Sequence, residues 1–196
     1  MKRITVFCGL SHGAHPSYTD VAIELGQFLA DQNITLIYGG AQVGLMGAIA
    51  NAVLSKGGKA IGVIPRFLHT KEIAHDELSE LILVDGMHER KKKMNDLCDG
   101  FITLPGGFGT LEELFEVLTW AQLGLHRKPI GLLNINQYYT PLIEMIDQMV
   151  RNQFLKEINQ KTLLVEENIS PLYKLMTQYQ APEAPEWLNN NQSRIR

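Results

Sequence analysis

Three glycines and a carboxylate stand close together in residues 104–113, which read Leu-Pro-Gly-Gly-Phe-Gly-Thr-Leu-Glu-Glu. Only glycine lets successive backbone N–H groups crowd against an anion, because no Cβ stands in the way. A helix opening at Thr110 would add its unpaired amides and the positive end of its dipole. The segment is therefore predicted to hold the phosphate of a small molecule beside the carboxylate of Glu113.

The same residues allow a second interpretation. Thr110 and Glu113 fit a capping box, in which hydroxyl and carboxylate satisfy each other's orphan amides. A capping box needs no glycines before it, so the run at residues 105–109 favours function. Glu112 and Glu116 are expected on a solvated helix face, where negative charge near the N-terminal end favours the helix. For Glu113 the structural and the functional interpretation both stay open.

A second charged cluster occupies residues 85–93, which read Asp-Gly-Met-His-Glu-Arg-Lys-Lys-Lys. It follows a predicted strand and begins a predicted helix, so its first side chains point towards the same edge of the sheet. Arg90 is expected to reach the groove that holds Glu113, because a planar guanidinium suits a phosphate or a carboxylate. Lys91 is a further candidate for a ligand contact.

The elements that must position these residues follow from hydrophobic patterning. Short β-branched apolar runs alternate with amphipathic stretches, which predicts parallel strands joined by helices. Strands are expected at residues 4–8, 35–38, 60–64, 81–84, 101–104, 130–133 and 163–165, and helices at 17–31, 45–56, 87–97, 110–123, 138–152 and 170–178. The predicted fold class is α/β, a three-layer, Rossmann-like, doubly wound parallel sheet. It forms a single domain at residues 1–180, followed by a loose C-terminal tail at 181–196.

Glycines follow three of these strands, at residues 8–13, 38–47 and 104–109. Ligands of open α/β sheets bind outside the carboxyl ends of the strands, so three such clusters predict a nucleotide-sized groove. Gly44 and Gly47 would also suit close packing of a helix on the sheet. No cluster matches G-x-G-x-x-G or a P-loop, which sets dehydrogenases and NTPases aside.

Composition limits the kind of partner. The chain has 196 residues, is 45% hydrophobic and carries a formal charge of -3, which fits one globular domain and argues against nucleic acid as the main partner. Cys8 and Cys98 give neither a disulfide framework nor a zinc spacing, so a cytoplasmic location is the default. The apolar run after Lys2 and Arg3 is too short for a leader, and no membrane span is expected. The expected partner is a small molecule.

Two linked motifs resemble a known family. Pro-Gly-Gly-x-Gly-Thr-x-x-Glu at residues 105–113, preceded by Met-His-x-Arg-Lys at residues 87–91, is similar to the LONELY GUY (LOG) family, long mislabelled as lysine decarboxylases. Members are cytokinin riboside 5′-monophosphate phosphoribohydrolases. The resemblance runs from the first strand to about Leu125. It implies hydrolysis of a purine nucleoside 5′-monophosphate, AMP or an N6-modified analogue, to free base and ribose 5-phosphate, in a homodimer without metal or redox cofactor.

The resemblance also implies residue roles. Arg90 and Glu113 take the places of the catalytic pair. Leu10 departs from the family pattern, which has a serine there. Glu72 alone would pass for a solvated loop residue, and Thr119 alone for a core-facing helix residue. The complete set of candidate substrate-binding residues is Gly9, Ser11, Gly40, Gly44, Gly47, Glu72, Lys91, Gly107, Phe108, Gly109, Thr110, Leu111, Glu112 and Thr119.

The carboxylate of Glu113 suits the cleavage of an N-glycosidic bond. Breaking the bond between ribose C1′ and a purine nitrogen builds positive charge on the sugar, which Glu113 would stabilise while orienting or deprotonating water. Two rival classes remain: a non-catalytic carrier of a nucleotide or cofactor, and a pyridoxal phosphate decarboxylase, for which no buried Schiff-base lysine stands out. Intact Arg90 and Glu113 favour an enzyme over a carrier.

One helix bears on the oligomeric state. The predicted helix at residues 110–123 is apolar around more than one face, which is consistent with burial against both the sheet and a second subunit. A well-filled monomer core would explain the same pattern. A homodimer is expected mainly because of the family resemblance.

Overall fold

A seven-stranded parallel sheet forms the centre of the computed structural model, which describes residues 1–69 and 74–183. The strands are β1 (Arg3–Phe7), β2 (Thr35–Tyr38), β3 (Ala60–Pro65), β4 (Glu80–Val84), β5 (Gly100–Thr103), β6 (Ile130–Leu133) and β7 (Leu163–Glu166). Their order across the sheet is β4-β3-β2-β1-β5-β6-β7. The winding therefore reverses between β1 and β5, and this is the position where a doubly wound sheet opens a crevice.

Helices cover both faces of the sheet. They are α1 (Pro16–Asp31), α2 (Gly44–Ser55), α3 (Met87–Leu97), α4 (Phe108–Gln122), α5 (Thr140–Arg151), α6 (Glu157–Gln160) and α7 (Ile169–Gln178). One core cluster joins α1, α2 and α7 to the sheet, and a second joins α3, α4 and α5 to its other face. Alternate residues of β2 serve the two clusters, since Leu36 and Tyr38 belong to the first and Ile37 to the second. The predicted three-layer, doubly wound α/β fold is confirmed.

The ends of the strands agree with the prediction to within one residue, whereas two helices begin elsewhere. Helix α4 starts at Phe108 and not at Thr110, because Gly107 takes the N-cap position with an extended backbone. The capping-box interpretation, one of the two left open for Thr110 and Glu113, is therefore wrong, since Thr110 already lies in the first turn. Helix α5 starts at Thr140 instead of residue 138, after a turn in which Asn136 has a positive φ of 50°.

Two predictions concern residues outside the described part of the chain. Glu72 lies in the undescribed range 70–73, and the predicted tail at 181–196 is described only as far as Glu183. Among the described residues no helix is long and apolar enough to cross a membrane.

Candidate active site

A cleft of about 560 Å³ opens at the carboxyl ends of β1, β2 and β5. Phe7 pairs with Thr103 across β1 and β5, so the chain leaves both strands side by side at the point where the winding reverses. The predicted site residues that line this cleft are Gly9, Ser11, Arg90, Gly107, Gly109, Thr110, Glu112 and Glu113.

Glycines allow the loop after β1 to contact the loop after β5. The amide of Gly9 donates to the carbonyl of Pro105 at 3.1 Å. A Cβ on Gly106 would lie 2.1 Å from Thr110 Oγ1 and 2.9 Å from the amide nitrogen of Gly9, so no larger residue fits there. These contacts fix the loop after β5 against the loop after β1.

Helix α4 begins at the edge of this cleft. Its N-cap, Gly107, makes no side-chain capping hydrogen bond, and the amides of the first turn point back towards the cleft end of the helix. A Cβ built on Gly107 or Gly109 would meet nothing within 4 Å. The open space and the helix N-terminus together form a site where an anion would be stabilised.

Arg90 is buried beside the cleft in the first turns of α3, with 8% of its surface exposed. Its Nε donates to the carbonyl of Val63 at 3.0 Å, and its Nη1 lies 3.6 Å from Glu113 Oε1. A Cβ on Gly39 would lie 2.1 Å from Arg90 Nη2. The guanidinium is therefore held in one position by β3, by the glycine at the end of β2 and by the carboxylate.

Glu113 reaches the same place from the second turn of α4 and is only 6% exposed. Burial raises the pKa of Glu113 to about 7, although the positive charge of Arg90 opposes the change. A carboxyl group with a pKa near neutrality exchanges protons readily at physiological pH, which suits a general base or acid.

Two polar residues of the predicted set do not line the cleft of this chain. Lys91 Nζ contacts Glu112 Oε1 at 2.6 Å and Glu116 Oε1 at 2.9 Å, so it joins α3 to α4. Thr119 is exposed and its hydroxyl donates to the carbonyl of Phe115 at 2.7 Å. Glu116, expected on a solvated face, takes part in the ion pair.

Three further glycines of the predicted set do not line the cleft, and backbone conformation or packing accounts for each of them. Gly40 and Gly44 have positive φ values of 79° and 59°, which few other residues adopt. A Cβ would lie 2.2 Å from the carbonyl carbon of Leu10 at Gly44, and 2.0 Å from the carbonyl oxygen of Gln42 at Gly47. The packing interpretation of Gly44 and Gly47 thus has direct support in the structure.

The last two members of the predicted set lie on α4. Phe108 is 94% exposed and does not line the cleft. Leu111 packs against the core cluster that joins α3, α4 and α5 to the sheet.

Sequence reasoning missed several residues of the cleft wall. Gly39 and Gly106 lie in the glycine clusters at residues 38–47 and 104–109, so the glycine pattern could have indicated both of them. His12, Tyr18 and Tyr138 also line the cleft, and nothing in their spacing indicates it.

The fold and the site define a Rossmann-like α/β protein with a buried arginine–glutamate pair beside a glycine-rich strand exit. The family model described as "Possible lysine decarboxylase" matches residues 46–176. Cytokinin riboside 5'-monophosphate phosphoribohydrolase LOG7 of Arabidopsis thaliana is 46% identical over 94% of this chain and 85% of its own length. LOG1 of the same plant is 48% identical over 91% of this chain and 84% of its own length. The chain belongs to this LOG family.

A third relative and two solved structures are also similar to this chain. Cytokinin riboside 5'-monophosphate phosphoribohydrolase LOG of Oryza sativa subsp. japonica is 49% identical over 80% of this chain, which spans 64% of that protein. Among solved structures, a molybdenum cofactor binding protein from Rippkaea orientalis superposes with a TM-score of 0.69 at 21% identity, over 91% of this chain and 97% of that one. A molybdenum cofactor carrier protein from Chlamydomonas reinhardtii gives 0.68 at 19% identity, over 90% and 96% of the two chains. At such identities these structures establish the shared fold alone.

Proposed function

We propose that the protein hydrolyses the N-glycosidic bond of cytokinin riboside 5′-monophosphates or AMP, giving free base and ribose 5-phosphate. The observation that carries this proposal is the buried pair of Arg90 and Glu113, 3.6 Å apart on the wall of a cleft bordered by glycine-rich strand exits. The names of the relatives at 46% and 48% identity support the same reaction.

The phosphate is proposed to bind at the N-terminus of α4. The space beside Gly107 and Gly109 is open, and the amides of the first turn, including that of Thr110, carry the partial positive charge that an anion needs. Arg90 adds a permanent cation on the same wall. Binding the phosphate in this way would place the ribose beside Glu113.

The proposed reaction needs only the nucleotide and water. As the bond between C1′ and the purine nitrogen breaks, its electron pair leaves with the base and positive charge builds on the sugar. The carboxylate of Glu113 stabilises this charge and takes a proton from the water that attacks C1′. That proton then passes to the departing purine nitrogen, so the base leaves neutral and the carboxylate of Glu113 is regenerated. Arg90 keeps the carboxylate in place and lowers the energetic cost of ionising it.

Gly9, Ser11 and Glu112 also line the cleft and are proposed to complete the ligand site, together with Glu72 of the predicted set. The other predicted contacts do not line the cleft of this chain and stay predictions: Gly40, Gly44, Gly47, Lys91, Phe108, Leu111 and Thr119. The proposed catalytic domain spans residues 1–180 and works as a cytoplasmic homodimer. The free, buried thiols of Cys8 and Cys98 fit a reducing compartment. Thr119 is exposed and lies outside the cleft of its own chain, so a ligand contact by Thr119 requires the proposed second subunit.

A direct assay tests the reaction. The purified protein is incubated with AMP and with isopentenyladenosine monophosphate, and free base is measured by chromatography. Base release by the wild type but not by Glu113→Gln supports the proposal, with Glu24→Gln, an exposed glutamate of α1, as the matched control. A non-catalytic carrier would instead bind the nucleotide stoichiometrically and release no base.

A further inference from the structure

Two consecutive tyrosines in the turn before α5 hold the loop that follows β5. The hydroxyl of Tyr138 donates to the carbonyl of Gly106 at 2.7 Å, and the hydroxyl of Tyr139 donates to the carbonyl of Leu104 at 2.8 Å. The carbonyl of Pro105, between these two, accepts from the amide of Gly9 at 3.1 Å. Every carbonyl from residue 104 to residue 106 therefore has a hydrogen-bond donor.

The contact at Gly106 determines the direction of one amide. A trans peptide unit is planar, so its N–H points away from its C=O. Because the carbonyl of Gly106 is directed at Tyr138, the N–H of Gly107 is turned to the opposite side. Glycines flank this peptide on both sides, so side-chain sterics alone would allow it to rotate. The hydrogen bond from the Tyr138 hydroxyl to the Gly106 carbonyl restricts this rotation.

The two tyrosines occupy different environments. Tyr139 is 2% exposed and belongs to the core, whereas Tyr138 is 43% exposed and lines the cleft. The ring of Tyr138 packs edge-on against Tyr18, with ring centroids 5.8 Å apart, and against Tyr139 at 4.8 Å. The chain reaches this position through Asn136 and Gln137, whose φ values of 50° and 58° are uncommon for residues other than glycine. A strained turn thus delivers a polar side chain to the cleft wall.

We propose that Tyr138 is a positioning residue, whose hydroxyl fixes the peptide between Gly106 and Gly107 and so presents the Gly107 amide to the anionic end of the ligand. This inference rests on the proposed function for the identity of the ligand. It does not require that the bound molecule be hydrolysed, because the amide would contact the phosphate of substrate and product alike.

The substitution Tyr138→Phe tests the role, since it removes the hydroxyl and leaves the ring contacts with Tyr18 and Tyr139. We expect affinity for ribose 5-phosphate, measured by titration calorimetry, to fall on the order of 10-fold, as for the loss of one hydrogen bond to a charged group. Affinity for adenosine, which lacks the phosphate, should stay unchanged. In steady-state kinetics KM for the nucleotide should rise by a similar factor while kcat changes little.

Two control variants separate positioning from general damage. Tyr173→Phe makes the same change where the ring packs on Phe28, away from the cleft, and should bind ribose 5-phosphate as the wild type does. Tyr139→Phe removes a buried hydroxyl and should lower the denaturation midpoint, which Tyr138→Phe should leave near the wild-type value because its side chain is half exposed.

The outcomes are distinct. Equal losses of affinity for ribose 5-phosphate and adenosine in Tyr138→Phe, or no loss for either, would overturn the inference, as would a wild type that binds no ribose 5-phosphate. A wild type that releases no base from any nucleotide, yet loses ribose 5-phosphate affinity on Tyr138→Phe, would refute the proposed hydrolysis and support the positioning role.

Discussion

The substitution Glu113→Gln should make the protein more stable at alkaline pH while abolishing turnover. Glu113 is buried beside Arg90, and its pKa is about 7 in the fold against 4.5 for an ordinary glutamate. That difference corresponds to about 3 kcal/mol of unfolding free energy, because each pKa unit is worth about 1.4 kcal/mol. The side chain is only 7% exposed, so solvent screening reduces this figure little.

The sign of the effect follows from the order of the two titrations. The unfolded chain releases the Glu113 proton near pH 4.5, whereas the folded protein keeps it until about pH 7. The contribution of Glu113 to the unfolding free energy is thus fully present below pH 4.5. It declines as the pH rises from 4.5 to about 7 and is lost above pH 7. Glutamine does not titrate, so its stability advantage over glutamate should grow by about 3 kcal/mol across the same window.

Urea unfolding of both proteins between about pH 5 and about pH 8 measures this difference, and most of the expected growth falls inside that range. Glu24→Gln, which changes the same atoms on the exposed face of α1, corrects for the substitution itself. Base release by the wild type should rise over the same interval, because the ionised carboxylate is the active form. A stability gap that does not change with pH would refute the argument that burial raises the pKa of Glu113.

Three glycine substitutions test the rest of the site. Gly39→Ala puts a Cβ 2.1 Å from Arg90 Nη2. Because this displaces the guanidinium, we expect the rate of base release to fall on the order of 100-fold. The control is Gly86→Ala, whose Cβ meets nothing within 4 Å and which should leave the rate unchanged. Gly106→Ala should lower the unfolding free energy by about 1–3 kcal/mol in urea, because its Cβ would overlap the protein. Gly109→Ala should raise stability by up to about 1 kcal/mol, as alanine favours a helix, and weaken nucleotide binding in calorimetry. Unchanged affinity would remove Gly109 from the ligand contacts.

Much of the fold could be predicted because parallel strands buried on both faces leave a strong pattern. Runs such as Thr35–Tyr38 are too short and too apolar to be surface helices, and the glycines after them mark the carboxyl edge of the sheet. Since all parallel strands end at one edge, the glycine clusters at residues 8–13 and 104–109 were expected to border one groove, and Gly9 contacts Pro105 there. Arg90 and Glu113 were expected to share that groove, and both line it.

The parts that could not be predicted depend on contacts between distant segments. Thr110 and Glu113 have the spacing of a capping box, but the helix begins where the backbone of Gly107 allows, and spacing carries no information about that. The role of Gly39 is visible only when the guanidinium from α3 lies above it. Tyr138 lines the cleft because a left-handed turn directs it there, and its sequence neighbours give no sign of a partner in the loop after β5.

Two groups of glycines around the cleft differ in what a Cβ would meet. One group has protein atoms within 2.2 Å of that position, and its members are Gly39, Gly44, Gly47 and Gly106. Packing alone requires glycine at these four positions. Gly107 and Gly109 have open space instead. Gly107 is the N-cap of α4, where glycine is favoured over alanine, so the fold itself accounts for it. Gly109 lies inside the helix, where glycine is less stable than alanine by about 1 kcal/mol. Because the fold gains nothing from glycine at position 109, the close approach of a ligand to the backbone is the physical reason that remains for it.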